Sequence, residues 1–492
     1  MTEQATATGI DRIDVEAVNS KETRSLYKKR VKIHPKRVEG TFRALKWWIM
    51  IVTLGIYYVT PWLRWDRGPG APDQAVLIDF PGRRFYFFFI EIWPQEFYYI
   101  AGLLIMAGVG LFFVTSLIGR GWCGYACPQT VWTDLFIYVE RWIEGDRGAR
   151  IRLDKAAMSA SKAARRLTKY TLWLIISVAT GGAWVFYFAD APTLMGQLIS
   201  FDAPTVAYMT IAVLAFTTFS LGGLMREQVC TYMCPWPRIQ GAMMDEDSLT
   251  VTYRGDRGEP RQPYKKGDPW QGRGDCVDCN QCVAACPMGI DIRDGQQLEC
   301  ITCALCIDAC DTVMNRVGRP TGLIAYASVA GELRRREGEP AGLRLIRFRT
   351  VAYLALWAAI GMVMLVALLG RSDLDINVLR DRNPVFVTLA DGRIRNGYTF
   401  KILNKAREDR TLILTVEGLA GSGLKVVGSQ DTGYALAPFF TVAPDRLHSF
   451  KLFVSAPGEF LPRESVGVRF LLTDLESGTR AHYDSIFRGP KR

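Results

Sequence analysis

Eight cysteines packed between residues 276 and 310 constrain this chain more than any other feature. Cys276, Cys279, Cys282 and Cys286 stand as C-x2-C-x2-C-x3-C-P. Cys300, Cys303, Cys306 and Cys310 repeat the spacing, with Asp311 in place of the proline. A cubane iron–sulfur cluster needs four thiolates. The x2 loops wrap three of them round one cluster and throw the fourth to its neighbour. The spacing therefore predicts two [4Fe-4S] clusters, one on Cys276, Cys279, Cys282 and Cys310, the other on Cys300, Cys303, Cys306 and Cys286. Zinc sites usually present two separated C-x2-C pairs rather than triplets followed by x3-C. Disulfides are disfavoured on the reducing side of a membrane.

That membrane is written in five apolar runs, at 47 to 63, 97 to 118, 170 to 189, 205 to 224 and 350 to 370. Each approaches or reaches the ~20 residues that span a bilayer, which predicts five transmembrane helices with Trp and Tyr at several of their ends. The run at 85 to 93 is too short to span and is expected at the interface. Lys and Arg number eleven in residues 1 to 46 and nine in 119 to 166, but three in 66 to 97 and none in 189 to 204. Positive loops stay inside, so the N-terminus is expected in the cytoplasm. No signal peptide is expected, because a long basic segment precedes the first apolar run. Five crossings divide the 492-residue chain into a cytoplasmic basic segment (1–46), four helices with a cytoplasmic loop at 119–166 (47–224), a cytoplasmic segment (225–348) with its ferredoxin-like region at about 270–320, a fifth helix (349–370) and an exported domain (371–492). The net charge of +11 follows from these loops. It is spread along the membrane flanks rather than gathered on a nucleic-acid reader motif, so no nucleic-acid partner is expected.

Residues 371 to 492 change period. Tyr398, Phe400 and Ile402 share one face, as do Leu412, Leu414 and Val416, and Val466, Val468, Phe470 and Leu472. This alternation marks half-buried strands. With turn signals at Asp391-Gly392 and Ser477-Gly478, about seven strands are expected in an all-β immunoglobulin-like sandwich. The region has no cysteine and no catalytic constellation.

Four cysteines remain. Cys123 and Cys127 follow the second apolar run, Cys230 and Cys234 the fourth, each pair a C-x3-C-P preceded by an arginine. This is a weak internal repeat, and on a helix i and i+4 share a face. If the second and fourth helices pack side by side, the pairs converge on one soft site. Three readings stay open: thiolates holding copper or another soft metal, with Met225, Met233, Met243 and Met244 close in sequence; dithiol–disulfide cycling that relays electrons; or four inert packing cysteines. After Pro128, apolar residues recur at helical spacing with Asp134, Glu140, Arg141 and Glu144 between them, which predicts an amphipathic helix on the interface.

The three histidines, His34, His448 and His482, lie outside the apolar runs, so paired-histidine haem within the membrane is excluded. There is no C-x-x-C-H haem attachment sequence, no phosphate-cradling loop and no dinucleotide fingerprint.

The five apolar runs, "GWCGYACPQTVWTDLFIYVERWIEG", "CTYMCPWPRIQGAM", the double array and "GRIRNGYTFKILNK" together resemble the cytochrome c oxidase accessory protein family (CcoG, FixG, RdxA). The resemblance runs over nearly the whole chain, and the first array matches the family's ferredoxin motif cysteine for cysteine. It implies a multi-pass bacterial inner-membrane oxidoreductase that helps mature the cbb3-type oxidase, reducing Cu(II) to Cu(I) for assembly factors or copper chaperones with electrons from a cytoplasmic donor. Two other functions fit the same residues: quinone-linked electron transfer to a respiratory partner, and an oxidase assembly scaffold with structural or redox-sensing clusters.

Overall fold

A computed structural model describes residues 12–19, 31–68, 71–265, 267–340, 344–428, 433–444, 446–460 and 464–490. Most of the basic N-terminal segment before residue 31 lies outside these. The chain divides into two compact units, Met1–Met364 and Leu365–Arg492.

In the first unit, the helices in chain order are α1 (Thr41–Val59), α2 (Tyr98–Ile118), α3 (Gly121–Tyr125), α4 (Pro128–Glu144), α5 (Arg147–Lys155), α6 (Ala160–Val185), α7 (Ala191–Ile199), α8 (Thr205–Thr218) and α9 (Trp236–Met243). Among the described residues, four helical segments are long and apolar enough to cross a membrane: Thr41–Trp62, Pro94–Ile118, Thr205–Met225 and Phe348–Leu369. They match four of the five expected runs. The fifth expected run, 170 to 189, falls in α6, which is 26 residues long but starts in charged turns holding Lys162, Arg165, Arg166 and Lys169. Inside the bundle α6 approaches α8 so closely that a Cβ at Gly181 would lie 2.8 Å from the Ile211 carbonyl oxygen, the small-residue contact by which membrane helices pack. The 85 to 93 run folds as part of a three-stranded antiparallel sheet, β1 (Val76–Asp79), β2 (Arg84–Phe87) and β3 (Ile90–Ile92).

Helix α4 forms as expected but faces the other way. Asp134, Glu140 and Glu144 are buried, while Trp142 is 75% exposed. Glu140, with no exposure, meets Arg226 at 2.8 Å, Arg150 at 3.2 Å and Lys169 at 3.4 Å, and Lys169 also reaches Glu144 at 2.9 Å. Asp134 pairs with Arg43 at 2.8 Å. The acids pin α4 to α1, α5 and α6 through paired charges instead of facing water.

After α9 the chain forms β4 (Thr250–Tyr253), the single turn α10 (Gly255–Gly258), α11 (Gln281–Ala285), α12 (Leu305–Val317), β5 (Ile324–Ala327), which pairs with β4, then α13 (Val329–Arg336) and α14 (Phe348–Leu369). The N-terminal strand-like segment straps this region. The Ile13 amide donates to the Cys279 carbonyl at 3.1 Å, and the Asn19 side chain to that of Met288 at 2.7 Å. Asp308, inside the second cysteine array, accepts from the amides of Phe42 and Arg43 at 3.2 and 2.7 Å. It thereby caps the start of α1, satisfying amides a helix N-terminus leaves open.

The second unit is the expected sandwich, with nine strands among the described residues rather than about seven. β6 (Leu374–Arg380), β7 (Val387–Thr388), β8 (Arg393–Asn404), β10 (Gly423–Val426) and β12 (Arg446–Pro457) form one sheet; β9 (Arg410–Glu417), β11 (Phe439–Val442), β13 (Ser465–Asp474) and β14 (Arg480–Arg488) form the other. Tyr398, Phe400, Ile402, Leu412, Leu414, Phe470 and Leu472 are fully shut from solvent between them. Alternation placed them inward, as a pleated strand requires.

Candidate metal centre

The two arrays build two adjacent cavities, and each takes its fourth cysteine from the other array. One is lined by Cys276, Cys279, Cys282 and Cys310. The second is lined by Cys286, Cys300, Cys303 and Cys306, with Cys282 on the wall between them. Cys286 follows α11 in an extended conformation and Cys310 lies within α12, and each lines the cavity of the other array.

Those loops share an unusual backbone. Asp278 and Asn280 flank Cys279 with φ of 49° and 57°; Thr302 and Ala304 flank Cys303 with φ of 58° and 59°. None is glycine, and a β-branched threonine in the left-handed region costs about 1–3 kcal/mol. The same strain at the same two positions of each repeat turns both loops inward round a shared centre. Burial pushes the Cys286 thiol up to about 12 and the Cys300 thiol to about 11, and pushes Cys279, Cys282, Cys306 and Cys310 upward as well. Amides offset this in part, such as that of Thr302, which donates to Cys300 Sγ at 3.4 Å. Free thiolates are costly in such pockets, so the positive charge of a bound iron–sulfur core is what would bring them to the anionic form. Among the described residues no three His, Cys, Asp or Glu side chains converge tightly enough for a single metal ion. A cubane spreads its thiolates over four corners, and the donor set fits that group.

The remaining four cysteines are brought together beside the second cavity. Cys123 and Cys230 share one apolar cluster with Met288, Cys286, Cys300 and Cys303. The four thiols are mutual electrostatic neighbours, and burial raises Cys123 and Cys230 to about 12. Helix α3 lies directly on the second loop: a Cβ at Gly124 would sit 2.6 Å from the Ile301 carbonyl oxygen and 3.0 Å from the Cys303 amide nitrogen. Cys123 donates its S–H to Gln240 Oε1 at 2.9 Å. The expectation that each pair rides one helical face is corrected. Cys127 and Cys234 precede prolines and are extended, with ψ of 129° and 121°, because proline disfavours the helical conformation in the residue before it. Cys230 sits in a π-helical turn, Val229–Met233, a second one after Phe219–Met225; such turns frequently mark functional sites.

Several residues were missed from sequence. Met288 and Ile301 wall both the second cavity and a neighbouring one lined by Cys230. Tyr326 donates to the Thr302 carbonyl at 2.7 Å and meets the Tyr125 hydroxyl at 3.2 Å, tying β5 and α3 to the second loop. Only the placement of Met288 directly after Cys286-Pro287 was a usable signal.

Residues 225–329 match the 4Fe-4S dicluster domain family, residues 100–149 a 4Fe-4S binding domain, and residues 364–490 the family described as the IG-like fold at the C-terminal of FixG. The second of these covers Cys123 and Cys127. The nitrogen fixation protein FixG of Rhizobium meliloti is 55% identical, over 98% of this chain and 97% of its own. Two proteins of Cereibacter sphaeroides are similar: RdxB, 56% identical over 95% of this chain and 98% of its own, and RdxA, 58% identical over 82% and 86%. With two [4Fe-4S] clusters as its cofactors and an immunoglobulin-like C-terminal domain, the chain belongs to the FixG, RdxA and RdxB family.

Proposed function

We propose that this protein is an inner-membrane electron-transfer oxidoreductase that reduces Cu(II) to Cu(I) and passes Cu(I) to copper chaperones or assembly factors of a cbb3-type oxidase. The observation that carries the reading is the packing of Cys123 and Cys230 against Cys286, Cys300 and Cys303, which lays soft ligands beside the second cavity. Cys276, Cys279, Cys282 and Cys310 hold one [4Fe-4S] cluster, and Cys286, Cys300, Cys303 and Cys306 the other. When bound, these groups supply one-electron transfer, which matches the Cu(II)/Cu(I) couple. A cytoplasmic donor would supply the electron, and the site of Cys286, Cys300, Cys303 and Cys306 would lie nearest the Cys123 and Cys230 thiols.

The chain's own residues do the rest. The inward-turned loops keep both cavities adjacent, with Cys282 between them. Gly124 lets α3 approach the second loop without a side chain in the way. Cys123, Cys127, Cys230 and Cys234 favour the Cu(I) product, because thiolates select it over Cu(II). As the four thiols are neighbours rather than a preassembled single-ion site, they close on copper as it arrives. In the topology that suits this reading α6 makes the fifth crossing, the N-terminus and cysteine arrays are cytoplasmic, and the sandwich is periplasmic.

The test uses anaerobically purified full-length protein, reduced and freed of reductant, with Cu(II) added while EPR follows the reduced-cluster and Cu(II) signals. A Cys279→Ser, Cys303→Ser double variant runs alongside. Joint loss of both signals in matching stoichiometry, absent from the variant, is the expected result. Reduced clusters that persist beside unchanged Cu(II) would refute copper as the acceptor.

A further inference from the structure

An arginine stands before each C-x3-C-P segment, and the two have opposite surroundings. Arg226 is paired with Glu140 at 2.8 Å. Arg120 is equally buried, at 4% exposure, yet its bonds end only on carbonyl oxygens: Nη1 donates to Leu298 and, at 3.2 Å, to Cys300, and Nη2 donates to Pro237 at 2.6 Å. Among the described residues no carboxylate bonds to it. Room for the guanidinium is left by Gly241, where a Cβ would stand 3.3 Å from Nη2. Its charge acts directly on Cys300 and Cys123.

The first cavity also has an arginine, but a neutralised one. Arg293 lines that cavity. Its Nε and Nη2 donate to Asp291 at 2.9 and 2.6 Å and its Nη1 to Asp278 at 2.8 Å. Two carboxylates thus pair with the cation beside the first site, one of them, Asp278, shared with Arg12, while only carbonyl oxygens bond the cation beside the second.

We infer that Arg120 is a positioning residue that sets the direction of electron flow, holding a positive charge, which no carboxylate bonds, on the backbone of Cys300 at the edge of the second cavity, so that an added electron is favoured there over the first. The inference rests on the ligand division proposed above. Reduction adds one negative charge to a site without changing its ligands, and a fixed cation in a low-dielectric wall stabilises that charge more than it would in water. Cluster potentials respond to nearby charge and hydrogen bonds to the ligating sulfurs. The electron then runs from the first array to the second, toward Cys123 and Cys230. The same contacts also fasten the 298–300 loop to α9, so the test must separate charge from packing.

The experiment is an EPR-monitored redox titration of the full-length, cluster-loaded protein as wild type, Arg120→Gln, Arg120→Lys and Asp291→Asn, with iron and spin counted per chain. Wild type is expected to show two unequal midpoint potentials. In Arg120→Gln the higher one falls and the lower stays, whereas Arg120→Lys, which keeps the charge, stays near wild type. Asp291→Asn, which leaves Arg293 less compensated, raises the lower potential. Arg120→Gln with both clusters counted and neither potential moved would overturn the inference, as would equal shifts in Gln and Lys, which report packing. Should Arg120→Gln fail to hold its clusters, an unmoved lower potential in Asp291→Asn overturns it instead. A wild-type count other than two clusters per chain indicts the ligand division, independently of any potential.

Discussion

Tyr398, Phe400, Phe470 and Phe487 in the C-terminal sandwich and Glu140, Arg150 and Lys169 in the cysteine-bearing unit are shut from solvent to the same degree. The physical cost of those burials is opposite. In the sandwich, Phe470 stacks edge-on against Phe400 and Tyr398, with centroids 4.9 and 5.1 Å apart, and each aromatic gains from leaving water. In the first unit the apolar core shares the interior with buried charges, thiols and left-handed non-glycine residues, each costly unless a partner offsets it. A fold spends stability in this way where position matters more than burial, and both cysteine cavities lie in that unit. The sandwich has no cysteine, and its core is built from aromatic and aliphatic side chains.

The largest expected effect sharpens the contrast from the costly side. Glu140→Ala removes the carboxylate shared by Arg226, Arg150 and Lys169 and leaves the buried Arg226 and Arg150 without that partner, while Lys169 keeps Glu144. Breaking a buried pair from one side costs about 3–5 kcal/mol. Thermal unfolding in detergent should show that loss, with the clusters lost in the same transition. A stability near wild type would mean that the charges are not shut from water.

Phe470→Ala attacks the cheap side. Removing a fully buried aromatic costs about 3–5 kcal/mol through lost transfer energy and the cavity left behind. Limited proteolysis should cut residues 371 to 492 at lower denaturant, while iron and EPR spin count per chain stay at wild-type values. A parallel fall in cluster content would break the comparison, because it would make the sandwich part of the metal centre's support.

The same contrast explains what was legible in the sequence. Strand alternation read the sandwich core residue by residue, since one face of each strand meets water and period follows burial. The cysteine spacing, in which x2 loops can close on only three corners of one cube, predicts the same crossed sets of four that line the two cavities. Helix α4 failed the same reasoning. Asp134, Glu140 and Glu144 looked like a solvated face, but the acids turn in to meet cations from distant parts of the chain and leave Trp142 exposed. No local pattern carries that information. Arg120 escaped for a related reason: its role depends on the absence of a carboxylate, which depends on Leu298, Cys300 and Pro237 reaching it from two other segments. The positive φ at Thr302 and Ala304 was also hidden, because neither residue type announces it.

A smaller effect tests the joint between the apolar and the cysteine-bearing parts of the first unit. Asp308 caps α1 from within the second array, so Asp308→Ala should cost about 1 kcal/mol, the usual loss for a helix cap. Asp308→Asn, which keeps an acceptor, should recover most of it. Hydrogen exchange at residues 41 to 44 would read the fraying; unchanged protection in Asp308→Ala would mean that the cap contributes nothing.

The smallest effect is a pH dependence at the N-terminal strap. His34 is buried, and its Nε2 lies 3.0 Å from Asp154. Burial first, then the neighbouring Lys32 and Arg150 cations, hold the imidazole down to about 3, against the opposing pull of Glu140. The neutral ring lies beside Asp154, while Arg147, Arg150 and Arg141 bind the carbonyls of His34, Pro35 and Lys36. Since the folded pKa lies below the ordinary histidine value of about 6.5, the stabilisation is fully present above that value. It is lost as pH falls from there toward 3, because the released segment takes up a proton that the docked one refuses. The slope is at most about 1.4 kcal/mol per pH unit. Between pH 7 and 5, amide exchange at residues 31 to 38 should therefore accelerate in wild type and stay flat in His34→Gln, whose side chain can donate to Asp154 but does not titrate. Equal acceleration in both would assign the pH response to Asp154 or to the carboxylates of the Glu140 network instead.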